Sequence, residues 1–412
     1  MEARFRDNAE KGVRLSINVG TRLLRTNDVH LWLESDIWTP YLKGVVEIDT
    51  SSGAVGDLRD FVVGRDIIVA ITGGQDFQEA YRLAFALTDV SVDDSHLRTV
   101  GGRVRLHMVS RWAYHEKGYP SKAYTRIENV GDVIQGEFND LGVNEMIDSW
   151  QDPVPLERQR SFYRTQGPMH FLQERVLPWI QSPDDTSYFW YSTLDGRMHL
   201  HSAKDMFAQN TKAFLGPAWT VYAYDEDIPG FAFVGRSYKV NPDRTDLFYI
   251  KGSFYAQGEK QDFLDDLSQD REGIAAQIQR DPGYDEIEMW YVGHRSEQEM
   301  RANAAFLRRN HLFHQTHVLL FENLELATFL RTGSIVRLYD FNTYVPEAGD
   351  TTTEELITSN MVSEYVVIAS HYIFNALDEE DGFRGTKLEI AKLGYDPNAW
   401  EGIDDTSAYM EV

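Results

Sequence analysis

Four groups of side chains have types and spacings that could do chemistry. His311, His314 and His317 recur in H-L-F-H-Q-T-H. Intervals of three favour one helix face, as a metal ion would need, but the pattern here passes from helix to strand, so the three are expected to diverge. His199 and His201 lie two apart on a predicted strand and therefore share a face. No third ligand accompanies them, so two satisfied side chains are expected. Asp378-Glu379-Glu380-Asp381-Gly382 has the composition of a cation loop. It lacks the Asp-x-Asp-x-Asp-Gly spacing and the downstream bidentate Glu of a calcium site, which predicts a solvated turn. Glu157, Glu174, Asp184 and Asp185 could supply the paired carboxylates of glycoside hydrolysis. Among 65 acidic residues such neighbours arise by chance. The sequence contains no Gly-x-Ser-x-Gly, Walker-type loop, Rossmann glycine run or His-Glu-x-x-His. The expectation is a chain with no catalytic residue, no cofactor and no metal.

The totals bound what can carry these residues. A chain of 412 residues exceeds one ordinary core, so two or more domains are expected. Hydrophobic content of 42% and aromatic content of 13% suffice for packed cores and argue against disorder. The absence of cysteine excludes disulfides, thiolate metal sites and cysteine nucleophiles. No apolar run approaches the roughly 20 residues that span a bilayer. The first residues, M-E-A-R-F-R-D-N-A-E-K, hold no apolar h-region, so synthesis and retention in a cytoplasm are expected. A formal net charge of −25 disfavours nucleic-acid backbones and anionic membranes as partners, because phosphate binding needs Lys and Arg to displace counterions.

Periodicity then places the elements. Leu15, Ile17 and Val19 alternate with polar residues, as do Val29, Leu31 and Leu33. Ile67, Val69 and Ile71 precede Gly73-Gly74; Tyr81, Leu83, Phe85 and Leu87 follow, then Val104, Leu106 and Met108. Short strands with turn residues between them predict a β-barrel or sandwich over 14–115. Residues 116–215 read as an α+β segment. Val133, Ile134, Phe138 and Leu141 fall at helical spacing; a second helix is predicted within Phe162–Ile180, ending near Pro178; a hairpin turns at Asp195-Gly196. β pattern returns at Trp219 and resumes after Thr316. Leu330–Leu393 holds three strands, with Gly333 at a tight turn before the first. This predicts a second barrel over 216–258 plus 316–393. It is interrupted by a helical insertion, 259–315, of two helices: one with Phe263, Leu267, Ile274 and Ile278, the other starting from a Ser296/Glu299 capping box. Residues 394–412 form an acidic C-terminal extension. The aromatic runs Tyr188–Tyr191, Trp219–Tyr224 and Phe248–Tyr255 are expected in barrel cores, with outward faces available to neighbouring subunits as the alternative.

Three blocks carry a family resemblance. Leu58–Val69 (L-R-D-F-V-V-G-R-D-I-I-V) resembles the first-barrel segment of central hub proteins of contractile phage tail baseplates, which are related to the hub domain of type VI secretion spike proteins. Ser161–Arg175 with Tyr188–His199 is similar to the block between their barrels, and Leu330–His371 to their closing barrel. The resemblance covers about 14–393. It implies an α+β, mainly β fold: two similar small β-barrel (tube) domains, an α+β segment between them and a helical insertion in the second barrel. It also implies a non-enzymatic virion protein, a homotrimer that joins the tail tube to the central spike and forms a channel for DNA. Implied partners are further copies of itself, a spike protein on a separate chain, a tail tube protein, and baseplate wedge or tape-measure proteins. Stable nucleic-acid binding and membrane association are not implied. Three chains carry a formal −75, which suits a lumen that DNA passes without sticking. The polar stretch Pro346–Thr358, with Glu347, Asp350, Glu354 and Glu355, is a candidate assembly loop on the ring's rim. The alternatives are a tail-associated carbohydrate-active enzyme (a wall hydrolase) or binding module on a β-barrel scaffold, and a tube or tape-cap adaptor.

Overall fold

A computed structural model describes residues 14–24, 29–49, 61–72, 80–92, 103–183, 187–207, 213–217, 231–239, 248–256, 259–265, 285–289, 296–309, 313–321, 330–339, 362–375 and 384–393. The described elements of the first part of the chain are strands: β1 (Arg14–Val19), β2 (Arg22–Leu24), β3 (Val29–Asp36), β4 (Lys43–Asp49), β5 (Asp66–Thr72), β6 (Ala80–Val92) and β7 (Arg103–Ser110). Alternation decides their inner face, since successive strand side chains point to opposite sides. Val29, Leu31 and Leu33 of β3 pack with Val46 and Ile48 of β4, Val104 and Leu106 of β7 and Phe85 of β6 in one core.

The middle segment holds β8 (Lys122–Ile127), helix α1 (Val130–Leu141), β9 (Ile147–Trp150), β10 (Arg160–Arg164), β11 (Tyr188–Ser192) and β12 (Met198–Ser202). The Asn129 side chain caps α1 by accepting from the Gly131 N–H, and Asp132 sits in its first turn. Gly142, at φ +70°, ends the helix in the left-handed conformation that a side chain would disfavour. Val133, Ile134, Phe138 and Leu141 bury one face against Trp190, Leu172 and Val176. The helix expected within Phe162–Ile180 starts later. Phe162 is strand, because Phe162–Arg164 pair with Lys122–Tyr124, and helical backbone begins at Pro168. It ends in a tight turn at Leu177–Trp179, around the expected Pro178.

The remaining strands are β13 (Ala213–Pro217), β14 (Phe231–Lys239), β15 (Phe248–Ala256), β16 (Glu259–Asp265), β17 (Asp285–Met289), β18 (Phe313–Phe321), β19 (Ile335–Tyr339), β20 (Val362–Asn375) and β21 (Arg384–Leu393). Between β17 and β18 lies helix α2 (Glu297–Arg308), where the Ser296 side chain accepts from the Glu299 N–H, as the capping box predicts. The helical insertion needs correction at its first half. Glu259–Asp265 is a strand paired antiparallel with β15, so Phe263 lies opposite Gly252 and not on a helix. Only two residues separate the paired Ala256 and Glu259, which favours a hairpin over a new helix. Strand β15 was expected in the second barrel. It pairs instead with β16 and β17 in a separate three-stranded sheet. Leu267, Ile274, Ile278, Trp219–Tyr224 and the 394–412 extension lie outside the described residues.

Strands from both predicted barrel regions join in one sheet. Thirteen strands form one sheet, ordered β19-β13-β14-β18-β21-β20-β3-β4-β7-β6-β5-β1-β2. A further pairing of β19 with β20 closes the C-terminal strands into a circuit, whereas the N-terminal strands run out to the edge strand β2. The join is β20. Its residues Val362–Val366 pair with β19, and Ala369–Asn375 pair with Asp36–His30 of β3. Tyr372 of β20 therefore packs inside the N-terminal core, 1% exposed. Its hydroxyl has no hydrogen-bond partner among the described residues, and burial pushes the phenol pKa up. An unpaired buried hydroxyl costs about 1–3 kcal/mol. Tyr372→Phe is expected to leave the thermal unfolding midpoint unchanged or raise it. Tyr372→Ala, which removes the ring from the join, is expected to cost about 3–5 kcal/mol in denaturant unfolding.

Candidate functional site

Buried side chains from three parts of the chain gather where β20 changes partner. Two backbone bonds mark the exchange: Gly333 N–H donates to the Val367 carbonyl, and Ile37 N–H donates to the Ile368 carbonyl. Strand β20 also shifts register against β21 between Val367 and Ala369, a bulge that absorbs the change. Gly333 has φ +85°, and a Cβ there would meet the Tyr191 hydroxyl at 2.2 Å. Turn geometry and close approach thus both require glycine.

Small buried hydroxyls lock three parts of the chain together at this point. Ser35 Oγ, at the end of β3, donates to the Ser192 carbonyl at 2.5 Å and lies 2.7 Å from Thr332 Oγ1. Ser192 Oγ donates to the Pro40 carbonyl. Arg331 Nη1 pairs with Asp195 Oδ2 at 3.0 Å, tying the β11–β12 turn to the loop before β19. Ser35, Ser192 and Thr332 are all at most 2% exposed, so their hydrogen bonds are obligatory. Asp36 closes β3 by accepting from the Trp38 N–H and the Thr39 hydroxyl, with Lys43 Nζ at 3.1 Å.

The opposite sheet face carries a relay across three strands. Trp32 Nε1 of β3 donates to His371 Nδ1 of β20 at 3.1 Å. A neutral His371 must then carry its proton on Nε2, which faces Glu389 of β21 at 3.3 Å. Lys387 Nζ pairs with the same carboxylate at 2.6 Å. The His371 ring beside it, aided by Lys387 against the cost of burial, pulls the Glu389 pKa down to about 2.

The histidine pair of the sequence reading stands on the adjoining hairpin. His199 and His201 share a face of β12, ring centroids 6.0 Å apart, with Tyr191 stacked on His199. Both reach Ser149 of β9: His199 Nδ1 at 3.0 Å and His201 Nε2 at 2.7 Å. His201 Nδ1 is hydrogen-bonded to the Asp205 carboxylate. Burial pushes the His199 pKa down to about 4, so it stays neutral. Ser149 and Asp205 were missed by the sequence reading. Asp205 follows His201 at helical spacing, a legible signal, whereas Ser149 comes from 50 residues upstream through the parallel pairing of β9 with β12. A third polar cluster lies under α1. Arg164, 1% exposed, bonds Glu137 and Asp140, while the Tyr124 hydroxyl donates to Glu137 and Lys122 pairs with Asp140. Burial works against the Asp140 carboxylate, yet Arg164 and Lys122 together carry its pKa below the usual range.

The other sequence-predicted groups are not brought together. His314 and His317 sit on β18, with a register shift between them, and His311 lies outside the described residues. Glu157 and Glu174 are exposed on different segments, and the Glu157 N–H donates to Gln298. Asp184, Asp185, Asp378–Gly382 and the loop residues Glu347, Asp350, Glu354 and Glu355 lie outside the described residues. Tyr188–Tyr191 are core: all four are at most 3% exposed, with Tyr188 and Trp190 facing α1, and Phe189 and Tyr191 facing Ile37, Ala203 and Met206. Among the described residues no group of three or more His, Cys, Asp or Glu is placed to hold a metal ion.

No protein-family description matches the chain, and no curated protein sequence matches it. Solved structures do. A tail protein from Neisseria meningitidis MC58 superposes with a TM-score of 0.58 at 11% identity, over 94% of this chain and 99% of that one. The 43 kDa tail protein of prophage MuSo2 from Shewanella oneidensis gives 0.54 at 12% identity, again over 94% and 99%. The chain shares the fold of these tail proteins, with 94% of its length covered, in agreement with the resemblance read from the three sequence blocks.

A test of the relay follows from sign. Glu389 has a lowered folded pKa, so its contribution is present above the unfolded carboxylate value near 4.5 and is lost as pH falls toward 2. Denaturant titrations of wild type and Glu389→Gln are expected to converge as pH drops from 5 to 2. Parallel curves across that window would remove the relay as a source of stability.

Proposed function

We propose that the chain is the subunit of a homotrimeric hub in a phage tail baseplate, joining the tail tube to the central spike around a channel for DNA. The observation that carries the reading is the fold shared with two phage tail proteins over almost their whole lengths. The continuous sheet supports it, because a subunit that transmits load between tube and spike needs its two halves fixed to each other. Strand β20 does this through seven paired residues of β3. In this reading the N-terminal strands and the C-terminal circuit are the two tube domains, so three chains present six similar units toward the tube and three toward the spike. Further partners are baseplate wedge or tape-measure proteins. The chain is made in the host cytoplasm and resides in the virion tail. The formal charge of −25 per chain keeps the lumen free of stable DNA contacts. The hub role itself involves no catalytic step, cofactor or metal.

Native mass spectrometry tests the ring. A species of about 142 kDa, three times the 47.4 kDa chain, is expected alone or on adding a spike subunit. A chain that stays monomeric with the spike subunit present would overturn the hub. The loop bearing Glu347, Asp350, Glu354 and Glu355 is proposed to dock a neighbouring baseplate protein. Deleting Glu347–Glu354 is expected to keep the circular dichroism spectrum and melting midpoint while lowering incorporation into assembled baseplates by about tenfold or more, a loss of about 1.4 kcal/mol in docking. Loss of soluble folded protein would count against that role.

A further inference from the structure

Ser149, His201 and Asp205 stand in the order and geometry of an acyl-transfer triad, and the hub reading leaves them without a task. Ser149 Oγ is 2.7 Å from His201 Nε2, and His201 Nδ1 is bonded to Asp205 Oδ2. The Asp205 backbone is itself held, its N–H donating to Ser202 Oγ at 3.2 Å. Two paired strands and one helical turn thus supply nucleophile, base and orienting acid. Such a set is recognised by geometry and roles and not by order along the chain.

Proton bookkeeping gives each group its direction. A neutral His201 must place its proton on Nδ1, because that nitrogen faces a carboxylate. Nε2 is then an acceptor, so the Ser149 hydroxyl donates to it. His199 Nδ1, 3.0 Å from the same oxygen, must in turn be the donor. His199 Nε2 then lies 3.5 Å from Thr193 Oγ1, whose own proton goes to Asp195 Oδ1. The arrangement aims the serine proton at the base and keeps a neutral N–H beside the oxygen that will react. The cluster also reaches solvent: Ser149 is partly exposed, and the His201 and Asp205 side chains are 11% and 39% exposed.

We propose that this cluster is an ester-cleaving site for small carboxylic esters. Ser149 Oγ attacks the ester carbonyl carbon while its proton passes to His201 Nε2, and the carbonyl π pair moves onto oxygen. Asp205 acts as a positioning residue that holds the imidazolium formed. The His199 Nδ1–H, 3.0 Å from Ser149 Oγ, is the donor assigned to the new oxyanion. The oxyanion collapses, the bond to the alcohol oxygen breaks, and that oxygen takes the proton from His201. Water then attacks the acyl-Ser149 carbonyl, gives its proton to His201, and the Ser149 oxygen leaves and recovers it. Ester and water become acid and alcohol, with no redox partner required.

The full chain, incubated with a fluorophosphonate probe, tests this directly. Attack by Ser149 displaces fluoride and leaves one phosphonyl group. Intact mass and peptide mapping are expected to show one adduct, on Ser149, together with hydrolysis of p-nitrophenyl acetate above that of Ser149→Ala. His201→Gln, which keeps hydrogen-bonding atoms but no base, is expected to slow labelling by about 10²-fold or more while its melting midpoint stays near wild type. Asp205→Asn is expected to slow labelling and to change its pH profile, which a merely structural acid would not do. A folded wild-type chain with no adduct on Ser149 would overturn the proposal. So would labelling of Ser149 at the same rate in His201→Gln.

Discussion

Among the described strands of the large sheet, only β20 pairs with three others. Along one edge it pairs with β21 from Val366 to Phe374; along the other it begins on β19 and ends on β3. Each backbone hydrogen bond adds only about 0.5–1.5 kcal/mol net, but a strand registered with β3 through seven residues cannot slip without turning Tyr372 out of the N-terminal core. The bulge after Val367, the left-handed Gly333 and the cap at Asp36 all sit at the exchange, because two strands must end there for one to continue. The Trp32–His371–Glu389 relay then crosses the same three strands on the opposite face.

The middle hairpin makes the exchange a three-way junction. Strand β11 is apolar on both faces, an aromatic ladder that separates the α1 core from the smaller core around Ile37 and Met206. At its end the Ser192 carbonyl accepts from the buried Ser35 hydroxyl, while Ser192 Oγ and Thr332 Oγ1 donate to the Pro40 and Ser35 carbonyls. Its partner β12 turns the histidines toward β9. The ester-cleaving proposal and the hub proposal thus rest on different faces of one small region, one on a polar cluster and the other on the continuity of a sheet.

Much of the fold was legible in the chain. Strands β1, β3, β5, β6 and β7, helix α1, the Asp195-Gly196 hairpin and the Ser296 cap follow from period-two alternation, helical spacing and local hydrogen-bonding side chains, which act within a few residues. The hairpin β15–β16 was misread because Phe263 alone fits a strand and a helix equally. Ser149 was invisible as a partner of His201, 52 residues away, because nothing near it in sequence announces the parallel pairing of β9 with β12.

The amino-acid sequence by itself determined the β-rich class, the alternation that selects inner faces, the absence of cysteine chemistry and the strong negative charge. Its three blocks also pointed to the tail-protein fold. Only the tertiary structure decided that the two strand-rich parts are one sheet, that the Tyr188–Tyr191 run is core on both faces, and that Ser149, His201 and Asp205 meet. The reason is physical: alternation specifies which face of a strand is buried but not which strand lies beside it. That choice depends on backbone pairing between segments as distant as Val29–Asp36 and Val362–Asn375.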